Sequence, residues 1–140
     1  MSGYPDKPKL IVQPEEVEVE AMPAAGGFYD VATLPGFAPL AGIQMNVLAG
    51  ARMMANWVHL EPGAEVPDHE HPHEQLGLVI EGEIDMTIDG ETRRIGPGVA
   101  YVVPGGVRHA GVGGPDGCLV LDIFSPPRAD YMAQIKEATE

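Results

Sequence analysis

Glycine and proline interrupt this chain so often that long uninterrupted elements have no room between them. There are 18 glycines and 14 prolines, together 32 of 140 residues. Both residues break helices, so what remains is a set of short segments joined by turns. Such a fraction also suits disorder, but 44% of the residues are hydrophobic, which is enough for a core. The length is that of one domain.

From Gly42 onward the apolar runs fall at 43–48, 52–60, 75–80, 83–89, 91–95, 99–103, 107–112 and 117–124. Asp89-Gly90 separates two of them and reads as a two-residue hairpin turn. Gly96-Pro97-Gly98, Pro104-Gly105-Gly106 and Gly113-Gly114-Pro115-Asp116-Gly117 read as further breaks. Short strands with regular turns predict an all-β antiparallel sandwich or barrel. Residues 1–40 read as an N-terminal arm and irregular segment, 41–128 as the barrel and 129–140 as a short helix. Within the arm, Val17-Glu18-Val19-Glu20 alternates like a strand, either an edge or an arm that contacts a second subunit. In the tail, Tyr131, Met132 and Ile135 share a helical face, and Asp130 is the expected cap.

The charge excludes some partners. Acidic side chains outnumber basic ones 21 to 8, for a net charge of -13. Phosphate contacts need clustered Lys and Arg, so nucleic acid is not expected, and an anionic membrane would repel the chain. No apolar run is long enough to span a bilayer, and the N-terminus lacks a signal-peptide core. The single cysteine, Cys118, cannot form an intramolecular disulfide and is expected to be a buried, inert thiol. A cytoplasmic protein is the expectation.

Chemistry concentrates in Asp68-His69-Glu70-His71-Pro72-His73-Glu74-Gln75. His69 and His71, two apart, place two imidazoles on one strand face, which is half of a metal site. A straight strand from 69 to 75 would span about 20 Å, far beyond the reach of one ion with bonds near 2.1 Å. Pro72 offers a bend that returns Gln75 to the first two histidines. His109, beside a turn, closes the site from another strand. His73 and Glu74 remain alternatives to Gln75 as fourth ligand. Asp122 lies inside an apolar strand, where a carboxylate needs a partner, either Arg128 or a metal-bound water. Met54, Asn56, Val58 and Leu60 alternate onto one face and, with Tyr101, are expected to line the barrel interior, with Met54, Asn56 and Tyr101 touching substrate. His59 and Trp57 fall on the opposite face, pointing outward or into a subunit contact.

These spacings resemble the cupin family. Gly63, His69-Glu70-His71, Gln75 and Gly82 match its first motif, and Gly98, Pro104-Gly105-Gly106, His109 and Gly113 its second. Two departures stand out: Gln75 occupies the position of the usual glutamate, and Gly113 that of an asparagine. The resemblance implies a double-stranded β-helix, or jelly-roll, barrel with one divalent ion (Zn, Ni, Mn or Fe) per subunit. Asp122, Phe124 and Arg128 also match a subgroup that includes pectin-degradation cupins acting on unsaturated uronates. In that subgroup the metal ligands correspond to His69, His71, Gln75 and His109. The resemblance implies Asp122 and Arg128 as catalytic residues and Phe124 as a substrate contact. A neutral amide leaves the ion's full charge, which favours Lewis-acid work over high-valent iron chemistry. The implied reaction is isomerisation or ring opening of a small sugar-acid-like substrate. An aromatic polyketide cyclase with a zinc-type site, a dioxygenase and a non-catalytic ligand-binding cupin are the alternatives. A homodimer is expected.

Overall fold

The computed structural model describes residues 24–139. The expected strand over Val17–Glu20 lies outside the described residues. Among the described residues a short 3-10 helix, Val31–Thr33, precedes eight strands and one α-helix in chain order: β1 Gly36–Leu40, β2 Ile43–Ala49, β3 Met54–Leu60, β4 Glu65–His69, β5 Glu74–Ile88, β6 Glu91–Ile95, β7 Ala100–Val103, β8 His109–Ser125 and α1 Ala129–Thr139. All the strand pairings are antiparallel.

Two strands are far longer than the apolar runs indicate. β5 joins the runs at 75–80 and 83–89, and β8 joins those at 107–112 and 117–124. The expected break at Gly113–Gly117 is therefore corrected: it is a stretch of strand. Gly82 and Gly117 face one another so closely that a Cβ on Gly82 would overlap the Gly117 carbonyl. The register slips on both sides of Glu81, between Val79 and Ile84. Glycine there bends the pair without ending it.

That bend produces the two layers. The first half of β5 and the second half of β8 pair with each other and with β7 and β3 at their outer edges. The second half of β5 and the first half of β8 pair with β6 and β4. β2 and β1 extend the first layer beyond β3. The result is an antiparallel jelly-roll barrel, as expected. Its core draws Met45, Val58, Leu60, Val79, Val120 and Phe124 from one layer and Ile84 and Met86 from the other. Alternation holds along β3, where Met54, Asn56, Val58 and Leu60 are buried and His59 is exposed.

The turn at Asp89-Gly90 joins β5 to β6, with φ of 50° and 84°, the signature of a tight hairpin. Gly36–Leu40, read from sequence as irregular, is a strand on β2. α1 lays Tyr131 and Ile135 on the core, with the Tyr131 ring 5.3 Å from Phe37 and 5.7 Å from Phe124. Asp130 is not the cap: it sits within the first turn, and its carboxylate is taken by Arg128.

Candidate metal centre

The site is built at the junction of β4, β5 and β8. β4 ends at His69, the chain turns through Pro72 and His73, and β5 begins at Glu74. The Pro104-Gly105-Gly106 turn pins this bend. Gly106 N–H donates to the His71 carbonyl at 2.8 Å. Gly105 lies against Pro72 so tightly that a Cβ would overlap the Pro72 carbonyl. The β4–β8 register sets His69 beside His109. Their ring centroids are 4.2 Å apart, and those of His71 and His109 are 4.8 Å apart.

The ligating atoms of His69, His71 and His109 all lie within 4.8 Å of one another. Each Nδ1–H donates to a backbone carbonyl: His69 to Pro67 at 2.8 Å, His71 to His73 at 3.1 Å, His109 to Val107 at 2.9 Å. A carbonyl only accepts, so these bonds fix the proton on Nδ1 and leave each Nε2 as a lone pair. His109 Nε2 is buried without a hydrogen-bond partner. His71 Nε2 faces Gln75 Oε1 at 3.1 Å, two acceptors with no proton between them. Burial, then the positive charge of Arg128, pushes His71 down to about 3. Burial and the neighbouring His109 push His69 down to about 4. Burial lowers His109 as well. The imidazoles are therefore neutral at ordinary pH, and the converging lone pairs fit a divalent cation.

The three alternatives for a fourth ligand are placed differently. Gln75 points inward, whereas Glu74 is exposed on the outer face. His73 is buried, but it lies outside the three-histidine group, with its ring edge-on to His71.

Beside the histidines lies a cavity lined by His69, Gln75, Tyr101, His109, Asp122 and Phe124, with apolar walls that include Met45, Val58, Ile84 and Met86. Asp122 is buried on its wall. Of its two sequence-level partners, Arg128 acts on it through its positive charge. The Tyr101 hydroxyl donates to Asp122 Oδ1 at 2.6 Å. Burial pushes Asp122 up to about 6 against the Tyr101 hydrogen bond and the positive charge of Arg128. Burial and the Asp122 charge hold Tyr101 well above the usual tyrosine range. From sequence, Tyr101 reads as interior lining and a substrate contact, not as a partner of Asp122. The signal for its bond is Gly77, which pairs with both Tyr101 and Asp122 and has no side chain, leaving the ring room to cross.

Three expected site residues fall elsewhere. Met54 and Asn56 are buried but do not line this cavity. They sit on β3 opposite Phe124 and Asp122, towards the β2–β3 turn, while Val58 and Leu60 further along the same strand line the cavity. Arg128 is wholly buried beneath the site. Its Nε and one terminal nitrogen donate to the two oxygens of Asp130, and its guanidinium lies 4.0 Å from the Tyr131 ring centroid and 4.9 Å from that of Phe124. It carries positive charge towards the histidines and braces α1 on the barrel. Cys118 is buried, and burial pushes its thiol up to about 11.

The comparisons with known proteins agree with this architecture. A family model described as a cupin domain matches residues 56–124. The pectin degradation protein KdgF of Dickeya dadantii is 35% identical over 93 residues, which cover 65% of this chain and 84% of that protein. The dimethylsulfoniopropionate lyase DddW of Ruegeria pomeroyi is 30% identical over 107 residues, 74% of this chain and 67% of that one. The solved structure of KdgF from Halomonas sp. superposes with a TM-score of 0.71 at 33% identity, covering 76% of this chain and 98% of that one. Given the bent β5–β8 pair, the three converging imidazoles and these relatives, the chain belongs to the cupin family.

Proposed function

We propose that this cupin is a metal-dependent enzyme that isomerises or ring-opens a small, oxygen-rich, sugar-acid-like molecule. The observation that carries the reading is the convergence of three Nε2 lone pairs and the Gln75 amide oxygen next to the buried Asp122 carboxyl. The 35% identity to a pectin degradation protein supports the substrate class. His69, His71, His109 and Gln75 would hold a divalent ion, which would supply Lewis-acid polarisation of a substrate oxygen. Asp122 moves the proton. Its carboxyl, pushed up to about 6, is matched to both accepting and returning a proton near neutrality. Tyr101 fixes the orientation of that carboxyl, and Phe124 closes the wall beside His71, with ring centroids 5.6 Å apart. Arg128, already engaged with Asp130, acts from below as fixed charge and support.

The apolar walls favour a flatter, aromatic substrate and a cyclase-type reaction as the second reading. The 35% identity to a pectin degradation protein weighs against it. The test is turnover of a 4,5-unsaturated monouronate, followed by loss of its ring-double-bond absorbance, with each candidate metal loaded. Wild-type turnover with a loss of about 10²–10⁴-fold in kcat for Asp122→Asn is expected. Full turnover by Asp122→Asn would remove the proton-transfer role, and no turnover by any loaded form would remove the substrate class.

A further inference from the structure

The inner face of the second layer does not stop at the histidines. Residues directly opposite one another in an antiparallel pair share a face of the sheet. One row runs His69, His109, Ile88 and Glu91 across β4, β8, β5 and β6, and the next runs Val66, Gly111, Met86 and Arg93. Glu91 and Arg93 therefore stand on the same inner face as His69 and His109, at its β6 edge. Two strand spacings, about 10 Å, separate the backbones of His109 and Glu91. β7 and β6 take the same edge of β5, on either side of its bend, and between them the two layers part. A groove of about 610 Å³ lies there, lined by Met86, Ile88, Arg93, Ile95, Val99 and Tyr101. That is the size of a small-molecule site. Met86 and Tyr101 also line the cavity beside the histidines, so groove and cavity share a wall.

Arg93 keeps donors to spare in this groove. Glu91 accepts from its Nε at 2.6 Å, and its two terminal nitrogens have no protein partner among the described residues. Arg94 reaches the rim, but Asp85 takes its Nε and one terminal nitrogen at 2.9 Å each. Arg108 is shared between Asp68 and Glu70, and Arg128 is buried against Asp130. On a chain of net charge -13, a guanidinium with open donors on the inner face is where an anionic group would be met. We infer that Arg93 and the groove between β6 and β7 form a carboxylate-binding subsite for the substrate of the metal centre. The substrate's carboxylate meets the terminal nitrogens of Arg93 while its reacting end lies at the histidines. The arginine side chain and a monosaccharide acid together span the distance. This rests on the sugar-acid reading of the function, and it names the group that selects the acid.

The test is calorimetric binding of galacturonate, a saturated uronate without the reactive double bond, to the full Zn²⁺-loaded chain. Steady-state turnover of the 4,5-unsaturated monouronate is measured beside it, for wild type, Arg93→Leu, Arg93→Lys and Glu91→Gln. The Arg93 side chain is 75% exposed, so these changes leave the fold in place. Arg93→Leu is expected to weaken galacturonate binding and to raise KM, each about fivefold, with kcat nearly unchanged. Arg93→Lys, which keeps the charge, should recover part of the loss. Glu91→Gln removes a competing carboxylate and should tighten binding, the opposite of what a purely structural ion pair gives. Wild-type affinity should fall as NaCl is raised, and that of Arg93→Leu should change little. Unchanged affinity and KM in Arg93→Leu overturn the subsite and leave the proposed reaction standing. Salt-sensitive, Arg93-dependent galacturonate binding without turnover of the unsaturated uronate upholds the subsite and removes the reaction. A wild-type chain that does not bind galacturonate overturns the subsite.

Discussion

The histidines of the site are held neutral well below their usual range, and this makes a prediction about pH. His69 is pushed to about 4 and His71 to about 3, while His73 and His109 move in the same direction. The unfolded chain takes up these protons near 6.5 and the folded chain does not. The associated stability is therefore complete above about 6.5 and is lost as pH falls towards about 4. Asp122, raised to about 6, works the other way and regains stability over part of that window. Four histidines outweigh one carboxyl, so the metal-free chain should show a lower Tm at pH 4.5 than at pH 7.5. An equal or higher Tm at pH 4.5 would contradict the protonation states assigned here. At this scale the sequence was informative wherever spacing carries geometry. His69, His71 and His109 meet as the spacing implies, and His59 faces outward as its alternation requires. It was uninformative about hydrogen-bond partners across strands. The Tyr101–Asp122 and Arg128–Asp130 bonds depend on register and on the placement of α1, which no local pattern encodes.

Elements matter here mainly through one backbone contact. The turn at Pro104-Gly105-Gly106 touches the Pro72 bend, and that contact sets the distance between the strand ends bearing His69, His71 and His109. Both sides are backbone, so neither yields easily. Gly105→Ala should cost about 1–3 kcal/mol in stability, read by denaturant unfolding, and should weaken metal binding. Wild-type stability and affinity in that variant would mean the bend is not held by this turn. The bend at Pro72 was legible because reach demands it, and the Asp89-Gly90 hairpin because its turn chemistry is local. The continuity of β5 and β8 was not legible. Glycine clusters signal a break in a linear reading, whereas in the barrel Gly82 and Gly117 let one strand pair bend through both layers. β4, with its burial only partial and with Pro67 inside it, lacks the alternation that marks a strand.

The whole molecule carries the bent β5–β8 pair at its centre, with the site where the two layers meet. None of its described helices is long and apolar enough to cross a membrane. The outer face of the first layer carries an apolar patch: Leu76, Leu78, Ile80 and Val102 are exposed, and Leu121 and Ile123 beside them are partly so. On a chain of net charge -13, such a patch offers a second copy apolar surface to bury. The proposed homodimer is assigned to it. Sedimentation should give twice the 14.9 kDa chain mass for wild type and the single mass for Leu78→Glu. A wild-type monomer would remove the assignment. The central claim concerns the metal, and elemental analysis of the purified chain tests it most directly. After exposure to Zn, Ni, Mn and Fe, wild type and the His59→Ala control should hold about one divalent ion per chain. His71→Ala and His109→Ala should lose most of it. A wild-type chain that binds no ion, or a His109→Ala chain that retains its full content, would contradict the account.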